Sequence, residues 1–173
     1  RALVAHPGVD KISFTGSTAV GREIMRNSAD TLKKVSLELG GKSPNIIFAD
    51  ADLDAAVKGA FNGIFYGKGE VCNAGSRLLV EKSVHDRILE KLLERARRLV
   101  PGDPLDPRTR LGALVSKTQM ERVLEYVRIG REEGARAVLE GGRAGDRGCF
   151  VKPAIFDAVD PSMRIAQEEV FGP

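Results

Sequence analysis

The sequence contains few of the residues that usually build metal sites, disulfides or aromatic binding surfaces. Its 173 residues include no tryptophan, two tyrosines, two cysteines and two histidines. Cys72 and Cys149 lie far apart and form no CxxC pair, which argues against a disulfide scaffold or a zinc knuckle. No cluster has the spacing of metal ligands, so no metal site is predicted. The cysteine usage suits a reducing compartment, and we expect a cytoplasmic protein.

Long apolar runs and charge tracts are also missing. No stretch approaches the ~20 apolar residues that a membrane helix needs, and there is no secretory signal pattern, so no membrane partner is expected. The net charge is only +3, and basic residues are spread over helical stretches such as 87–98, which gives a nucleic-acid partner little support. The remaining composition, 42% hydrophobic and 29% charged, is ordinary for a globular domain.

The two ends of the sequence suggest a piece of a longer protein. The chain starts at Arg1 without a methionine and stops at Pro173, directly after a motif-like Phe171-Gly172. Its length suffices for one domain or for parts of two.

Apolar periodicity and turn residues predict alternating strands and helices. Capping residues are expected at Ser17 or Thr18, at 50–54, at Ser83 and at Ser116, where Ser116 and Gln119 form a capping box. The predicted strands are 11–15, 35–39, a buried 45–48, 77–81, 135–140 and 151–159. The predicted helices are 18–28 (with Val20, Ile24 and Met25 on one face), 53–65, 83–100 and 117–134.

This alternation predicts an α/β fold with a parallel sheet whose two faces are covered by helices. The expected partition places a small unit before about Gly41 and a second α/β unit after it.

Two short motifs each contain one reactive side chain among small residues. Cys72 lies in the loop Gly69 to Arg77, where small neighbours would let a carbonyl approach the thiol. Taken alone, Cys72 is better explained as a buried, inert cysteine than as a reactive one, and Cys149 fits that interpretation better still. Glu38 ends an apolar strand before two glycines, and partial burial would raise its pKa and suit it to general-base work. A solvated edge-strand glutamate is the alternative.

Gly16-Ser17-Thr18 joins a strand to a helix upstream of these motifs. The backbone N–H groups of a helix N-terminus bind phosphate, although simple capping explains the same residues. The sequence there is neither GxGxxG nor a P-loop. His85 and His6 offer no convincing partner for Cys72, and His85 is expected at a solvated helix position.

Together, these residues resemble the aldehyde dehydrogenase superfamily across nearly the whole chain. The resemblance rests on motifs in a fixed order: Phe14 to Thr18 with Gly21, Leu37 to Pro44, Gly69 to Arg77, and Glu168 to Pro173. It implies NAD or NADP as cofactor and a small-molecule aldehyde as substrate. It also implies an incomplete fold of this family, with the end of a Rossmann-type cofactor domain in 1–41 and a truncated catalytic domain in 42–173. The complete protein would be a homodimer or homotetramer.

The resemblance also implies a role for each site residue. Cys72 would attack the aldehyde, and Glu38 would activate the water that hydrolyses the resulting thioester. The two are expected to face one cleft. The cofactor-binding residues would be Gly16, Ser17, Gly40, Glu169 and Phe171. Two positions depart from the family pattern. Glu70 stands where Gln is commoner in the family. Gly67 stands where Asn is usual, and this glycine would loosen the turn before Cys72.

Three alternatives to a hydrolytic dehydrogenase stay open. A CoA-acylating relative would resolve the thioester with a thiol and would not need Glu38. A non-catalytic member would serve a structural or binding role, although such members usually lose the cysteine or the glutamate. A cysteine hydrolase would require a histidine close to Cys72. We also expect the 173-residue chain to be inactive, or nearly so, when isolated.

Overall fold

The computed structural model describes all of residues 1–173, which form two compact units, Arg1–Gly41 and Lys42–Pro173. The chain contains six strands and six α-helices, joined by short 3-10 turns. The strands are β1 (Lys11–Thr15), β2 (Lys34–Glu38), β3 (Pro44–Ile47), β4 (Arg77–Val80), β5 (Arg136–Glu140) and β6 (Ala154–Asp157). The helices are α1 (Ala2–Ala5), α2 (Thr18–Ser28), α3 (Leu53–Phe65), α4 (His85–Ala96), α5 (Lys117–Glu132) and α6 (Arg164–Gln167).

The first unit is a parallel strand pair followed by its helix. β1 and β2 pair in parallel register from Lys11 opposite Lys34 to Thr15 opposite Glu38. α2 begins where β1 ends, and Ser17 is its N-cap, because its side chain accepts a hydrogen bond from the Val20 N–H. Of the three apolar residues predicted to lie on one face, only Ile24 is buried, while Val20 and Met25 are exposed.

The second unit contains a parallel pair and an antiparallel pair. β3 pairs with β4 in parallel, whereas β5 and β6 run antiparallel with an irregularity between Ala137 and Leu139. The alternating pattern that predicted parallel strands is compatible with both directions, and strand direction is decided by long-range pairing. The α/β class is therefore confirmed, whereas the expectation of parallel pairing is wrong for β5 and β6.

Helices cover one face of the β3–β4 pair. Ile47 and Val80 pack with α3 and α4 in a core cluster that includes Val57 and Ile88. On the opposite face, Ile46 is exposed, as is its register partner Leu79. The predicted coverage of both faces is thus not found for this pair, and the third strand is not buried throughout.

Capping side chains begin three of the six helices, α2, α3 and α5. Asp52 caps α3 by accepting from the N–H groups of Asp54 and Ala55, and Ser116 caps α5 by accepting from Gln119. Ser83 is an exception, because it lies in a 3-10 turn and its hydroxyl donates to Glu81. α4 consequently begins at His85, later than predicted, and it ends at Ala96. The strand predicted for 151–159 is shorter, at Ala154–Asp157.

Two further clusters complete the core of the second unit. One contains Phe65, Ala96, Leu99 and Leu111. The other contains Leu114, Met120, Val123 and Val151, with Cys149 and Val170 packed against it. None of the six α-helices has the combination of length and apolar character that a membrane-spanning segment requires.

Candidate functional site

The carboxyl edge of the β1–β2 pair brings four of the predicted residues together within the first unit. Gly16 and Ser17 follow β1, while Glu38 ends β2 and Gly40 follows it. The Gly16 N–H donates to the Glu38 carbonyl oxygen at 3.0 Å, so the two turns are joined directly. Functional groups of α/β proteins collect at this edge, because parallel strands end side by side there.

Glu38 is exposed on the polar face of β2, opposite the half-buried Leu37. The predicted alternation is therefore found, but the partial burial expected for this carboxylate is not. The carboxylate is instead open to water.

Ser17 occupies the exposed N-terminus of α2. Its hydroxyl accepts from Val20 N–H at 3.3 Å, and its carbonyl oxygen accepts from Gly21 N–H at 3.0 Å. α2 has eleven residues, so its dipole and its first N–H groups form a positively polarised end. Capping and phosphate binding are compatible at such an end, because the Ser17 hydroxyl satisfies only one of the first N–H groups.

The thiol loop, residues 66–76, connects α3 to β4 in the second unit. It opens with three consecutive residues at positive φ, namely Gly67 at 61°, Lys68 at 65° and Gly69 at 69°. Gly67 is well suited to this left-handed conformation, which asparagine also tolerates, so glycine need not loosen the turn. Cys72 lies beyond the turn and is exposed, which is not the burial expected of an inert cysteine.

Backbone hydrogen bonds shape the loop around the thiol. Ala74 N–H donates to Val71 O at 3.0 Å, and Gly75 N–H donates to Gly63 O of α3 at 2.9 Å. No hydrogen bond of the loop uses the Cys72 N–H. Phe65, at the end of α3, is 3% exposed and belongs to the core, whereas Tyr66 is 82% exposed.

Glu70 anchors the thiol loop to the segment that precedes α5. Its side chain is 7% exposed, its Oε1 accepts from Val115 N–H at 3.0 Å, and its Oε2 lies 3.3 Å from Lys68 Nζ. The carboxylate is thus buried with two partners, as a buried charge requires. Glutamine would provide the same acceptor to Val115, which explains physically why both residues suit position 70.

The C-terminal segment, residues 168–173, is held by side chains from one stripe of α5. Gln119 Nε2 donates to Phe171 O at 2.7 Å and to Val170 O at 3.1 Å. Arg122 donates to Glu169 O at 2.7 Å. Because Gln119 uses its side chain in this way, the reciprocal half of the predicted capping box does not form. Sequence reasoning missed Gln119 because capping explains the pattern at 116–119, and it missed Arg122 because Glu169 lies 47 positions away.

Phe171 adopts a left-handed backbone conformation, with φ of 62°. Such a conformation costs a non-glycine residue about 1–2 kcal/mol and persists only where neighbours enforce it. The hydrogen bonds from Gln119 supply that enforcement.

Two glycines bring the thiol loop and the C-terminal segment into backbone contact. A Cβ atom on Gly69 would lie 2.2 Å from Gly172 O. A Cβ on Gly172 would lie 2.4 Å from the side chain of Val123 on α5. The structure therefore brings the loop that contains Cys72 against the segment that contains Glu169 and Phe171.

A cationic pair lies beside Glu169. Arg77 donates to Lys42 O at 3.0 Å, and its Nε is buried without a partner. Burial, followed by the nearby charge of Arg77, lowers the pKa of Lys42 to about 8, while the charge of Glu169 acts in the opposite direction. Both cations border a mostly apolar cavity of about 540 Å³ within the second unit. Both residues lie within the motifs, but no sequence signal predicts that the pKa of Lys42 is lowered.

His85 is not the solvated residue that was predicted. Its Nδ1 lies 2.8 Å from Asp86 Oδ1, and its Nε2 lies 3.0 Å from Asp157 Oδ1. These hydrogen bonds, first that with Asp86 and then that with Asp157, raise the pKa of His85. Asp157 also pairs with Arg136, so the imidazole links α4 to β6 and both of its nitrogens are engaged away from Cys72.

Comparison with known proteins gives a consistent picture. Residues 1–173 match the model of the aldehyde dehydrogenase family. The chain is 52% identical to aldehyde dehydrogenase family 2 member C4 of Arabidopsis thaliana, covering 99% of this chain and 34% of the relative. It is 49% identical to mouse retinal dehydrogenase 2, covering 99% and 33%. An NAD+ complex of a Bacillus cereus aldehyde dehydrogenase superposes with a TM-score of 0.97 and 48% identity, covering 99% and 35%. The chain thus spans about a third of the length of these relatives.

Proposed function

The chain belongs to the aldehyde dehydrogenase family, and we propose that it supplies the nucleophile and the general base of an NAD(P)-dependent aldehyde oxidation. The complete protein would convert an aldehyde to a carboxylic acid. The observation that carries the proposal is the exposed Cys72 in a loop that packs, glycine to glycine, against the segment containing Glu169 and Phe171.

The local structure around Cys72 supports its role as nucleophile. The thiol is open to an approaching carbonyl, and the Cys72 N–H is free to donate to the oxygen that becomes negative after attack. In the proposed reaction, the Cys72 thiolate forms a C–S bond to the aldehyde carbon, and the carbonyl oxygen becomes an alkoxide. Loss of hydride from the same carbon then gives a thioester.

The exposure of Glu38 supports its role in the second half of the reaction. Its carboxylate would take a proton from water, whose oxygen attacks the thioester carbon and releases the acid and the Cys72 thiolate. An exposed carboxylate has ready access to that water. General-base assistance of this kind typically contributes about 10²–10⁴-fold in rate.

Residues in each unit fit a nicotinamide dinucleotide. In the first unit, the exposed end of α2 at Gly16 and Ser17 suits a pyrophosphate, and Gly40 would lie at the cofactor's reactive end. In the second unit, Arg122 contacts the backbone oxygen of Glu169 and not its carboxylate, and that carboxylate would accept from ribose hydroxyls. Phe171 would pack near the nicotinamide. When bound, the cofactor supplies the hydride acceptor.

A chimera tests this proposal, because the chain covers a defined third of its relatives. Residues 1–173 would replace the matching 35% of the Bacillus cereus enzyme, and NADH formation from an aliphatic aldehyde would be measured. We expect Cys72→Ala to abolish turnover, and Glu38→Gln to slow it by about 10²-fold or more. Cys149→Ser and Glu94→Gln are matched controls, because Cys149 packs against a core cluster and Glu94 pairs with Arg98 at the surface.

Turnover that survives Cys72→Ala would overturn the proposal. The same chimera addresses the second candidate, a CoA-acylating enzyme, through its product. Free acid formed at an equal rate with and without CoA supports hydrolysis, whereas acyl-CoA as the main product supports the alternative. A chimera that binds NAD+ but oxidises no aldehyde would favour a non-catalytic member of the family.

A further inference from the structure

We propose that Glu70 is a positioning residue for Cys72, acting through its hydrogen bond to the Val115 backbone rather than through its charge. The inference deepens the proposed function and rests on it for its catalytic consequence. In the thiol loop, the buried carboxylate of Glu70 lies two positions before the exposed thiol of Cys72.

The thiol loop needs an anchor because its own backbone is unfavourable. Lys68 is a non-glycine residue at φ of 65°, between two glycines that are also at positive φ. A turn of this kind relaxes unless contacts outside it hold the conformation. Cys72, being exposed, contributes no packing that would hold the loop in place.

Two contacts with residues outside the turn hold the loop on the N-terminal side of Cys72. One is the close approach of Gly69 to Gly172. This steric contact prevents the loop from moving toward the C-terminal segment but not away from it. The other is the Glu70 to Val115 hydrogen bond, which joins residues 45 positions apart and resists outward movement. Val115 is followed by the α5 cap Ser116, so the loop is tied to the helix that also holds the C-terminal segment.

The Val115 amide gives a direct measure of this anchor. Val115 is 78% exposed, and its N–H donates to the Glu70 side chain and not to a helix or strand partner. Hydrogen exchange at Val115 therefore reports on Glu70. Exchange at Ala74 and Gly75, whose amides form the hydrogen bonds that flank Cys72, reports on the loop itself.

The first experiment is amide hydrogen exchange by NMR on the 173-residue chain. We expect Glu70→Ala to accelerate exchange at Val115 at least tenfold and at Ala74 and Gly75 at least fivefold. Glu70→Gln retains the acceptor and should leave all three within twofold of the wild type. Lys68→Gly removes the ammonium while favouring the positive φ, and it should also leave Val115 protected.

The second experiment places the same variants in the chimera. Glu70→Ala should lower kcat at least tenfold with the KM for NAD+ within twofold, and Glu70→Gln should restore kcat. The two variants would be compared at equal thermal stability, so that a general loss of folded enzyme could not account for the difference in kcat between them. If Glu70→Ala does not fold, wild-type Val115 exchanging at the rate of a free amide would still refute the anchor.

Three results would overturn the inference. They are unchanged exchange at Ala74 and Gly75 in Glu70→Ala, unchanged kcat in that variant, and a loss of kcat in Glu70→Gln equal to that in Glu70→Ala. The last would show that charge matters and the hydrogen bond does not. Failure of the wild-type chimera to oxidise aldehyde would instead count against the proposed function, and the exchange experiment would still decide the role of Glu70.

Discussion

Replacing Gly69 with alanine should destabilise the second unit and displace the thiol loop. The added Cβ would lie 2.2 Å from Gly172 O and 2.6 Å from Gly172 C, which are backbone atoms and not the mobile end of a side chain. The φ of 69° adds a second cost, because alanine disfavours the left-handed region.

The two costs can be estimated separately. The left-handed conformation costs roughly 1–2 kcal/mol for an L-residue, and relieving an overpacked contact by backbone movement typically costs about 1–3 kcal/mol. Together they predict a loss of about 2–5 kcal/mol, a large fraction of the ~5–15 kcal/mol that stabilises an ordinary domain.

Urea unfolding followed by circular dichroism measures this loss. Gly59→Ala is the matched control, because Gly59 lies inside α3 and a Cβ there meets nothing within 4 Å. Alanine at that position should stabilise the chain by roughly 0.5–1 kcal/mol through helix propensity. A loss of less than about 1 kcal/mol for Gly69→Ala would refute the close contact between the thiol loop and the C-terminal segment.

Three other predictions concern the groups around the site. Competitive labelling with acetic anhydride should give Lys42 a titration midpoint near pH 8, because burial and Arg77 lower its pKa to about 8, and a midpoint near 10.5 would contradict that environment. His85→Ala should cost more stability at pH 6 than at pH 8.5 in urea unfolding. The reason is that a histidine whose pKa is raised in the folded state stabilises it fully below about pH 6.5, and loses that contribution as pH rises through the folded pKa. Equal costs at the two pH values would show that the pairs with Asp86 and Asp157 do not raise the pKa of His85. Gln119→Ala should cost about 1–3 kcal/mol, because it leaves two carbonyl oxygens without their donor, and Gln119→Glu should be no better since it cannot donate; retained stability in the glutamate variant would refute the donor role.

The sequence predicted features that depend on neighbouring residues. Ser17, Asp52 and Ser116 each lie directly before a helix and accept from its first N–H groups, and all three were identified as caps or within a capping stretch. The same reasoning failed at Ser83, where a nearby acceptor, Glu81, takes the hydroxyl and a 3-10 turn delays the helix.

The parts that could not be predicted depend on contacts between distant residues. Glu70 meets Val115 across 45 positions, and Gln119 meets Phe171 across 52. The antiparallel direction of β5 and β6 is also a long-range property, since apolar alternation is the same in both directions. Likewise, the carboxylate neighbours of His85 come from its own helix and from β6, and only the first of these is visible locally.

The candidate site also combines features that the local sequence predicts with features that depend on contacts between distant residues. The motifs identify Cys72, Glu38 and the residues predicted to bind the cofactor by type and order, and the chemical roles of all of them stay predictions. Local pattern also gave Glu38 the correct face of β2, but it could not give its exposure, which depends on what packs over the strand.

Trapping the covalent intermediate would show whether Cys72 and Glu38 act in sequence on one aldehyde. The Glu38→Gln chimera would be mixed with aldehyde and NAD+, quenched in acid within one turnover, and digested for mass spectrometry. We expect about one equivalent of NADH per site and an acyl group on the Cys72 peptide, absent from the Cys149 peptide. Full turnover with no acyl group on Cys72 would contradict it.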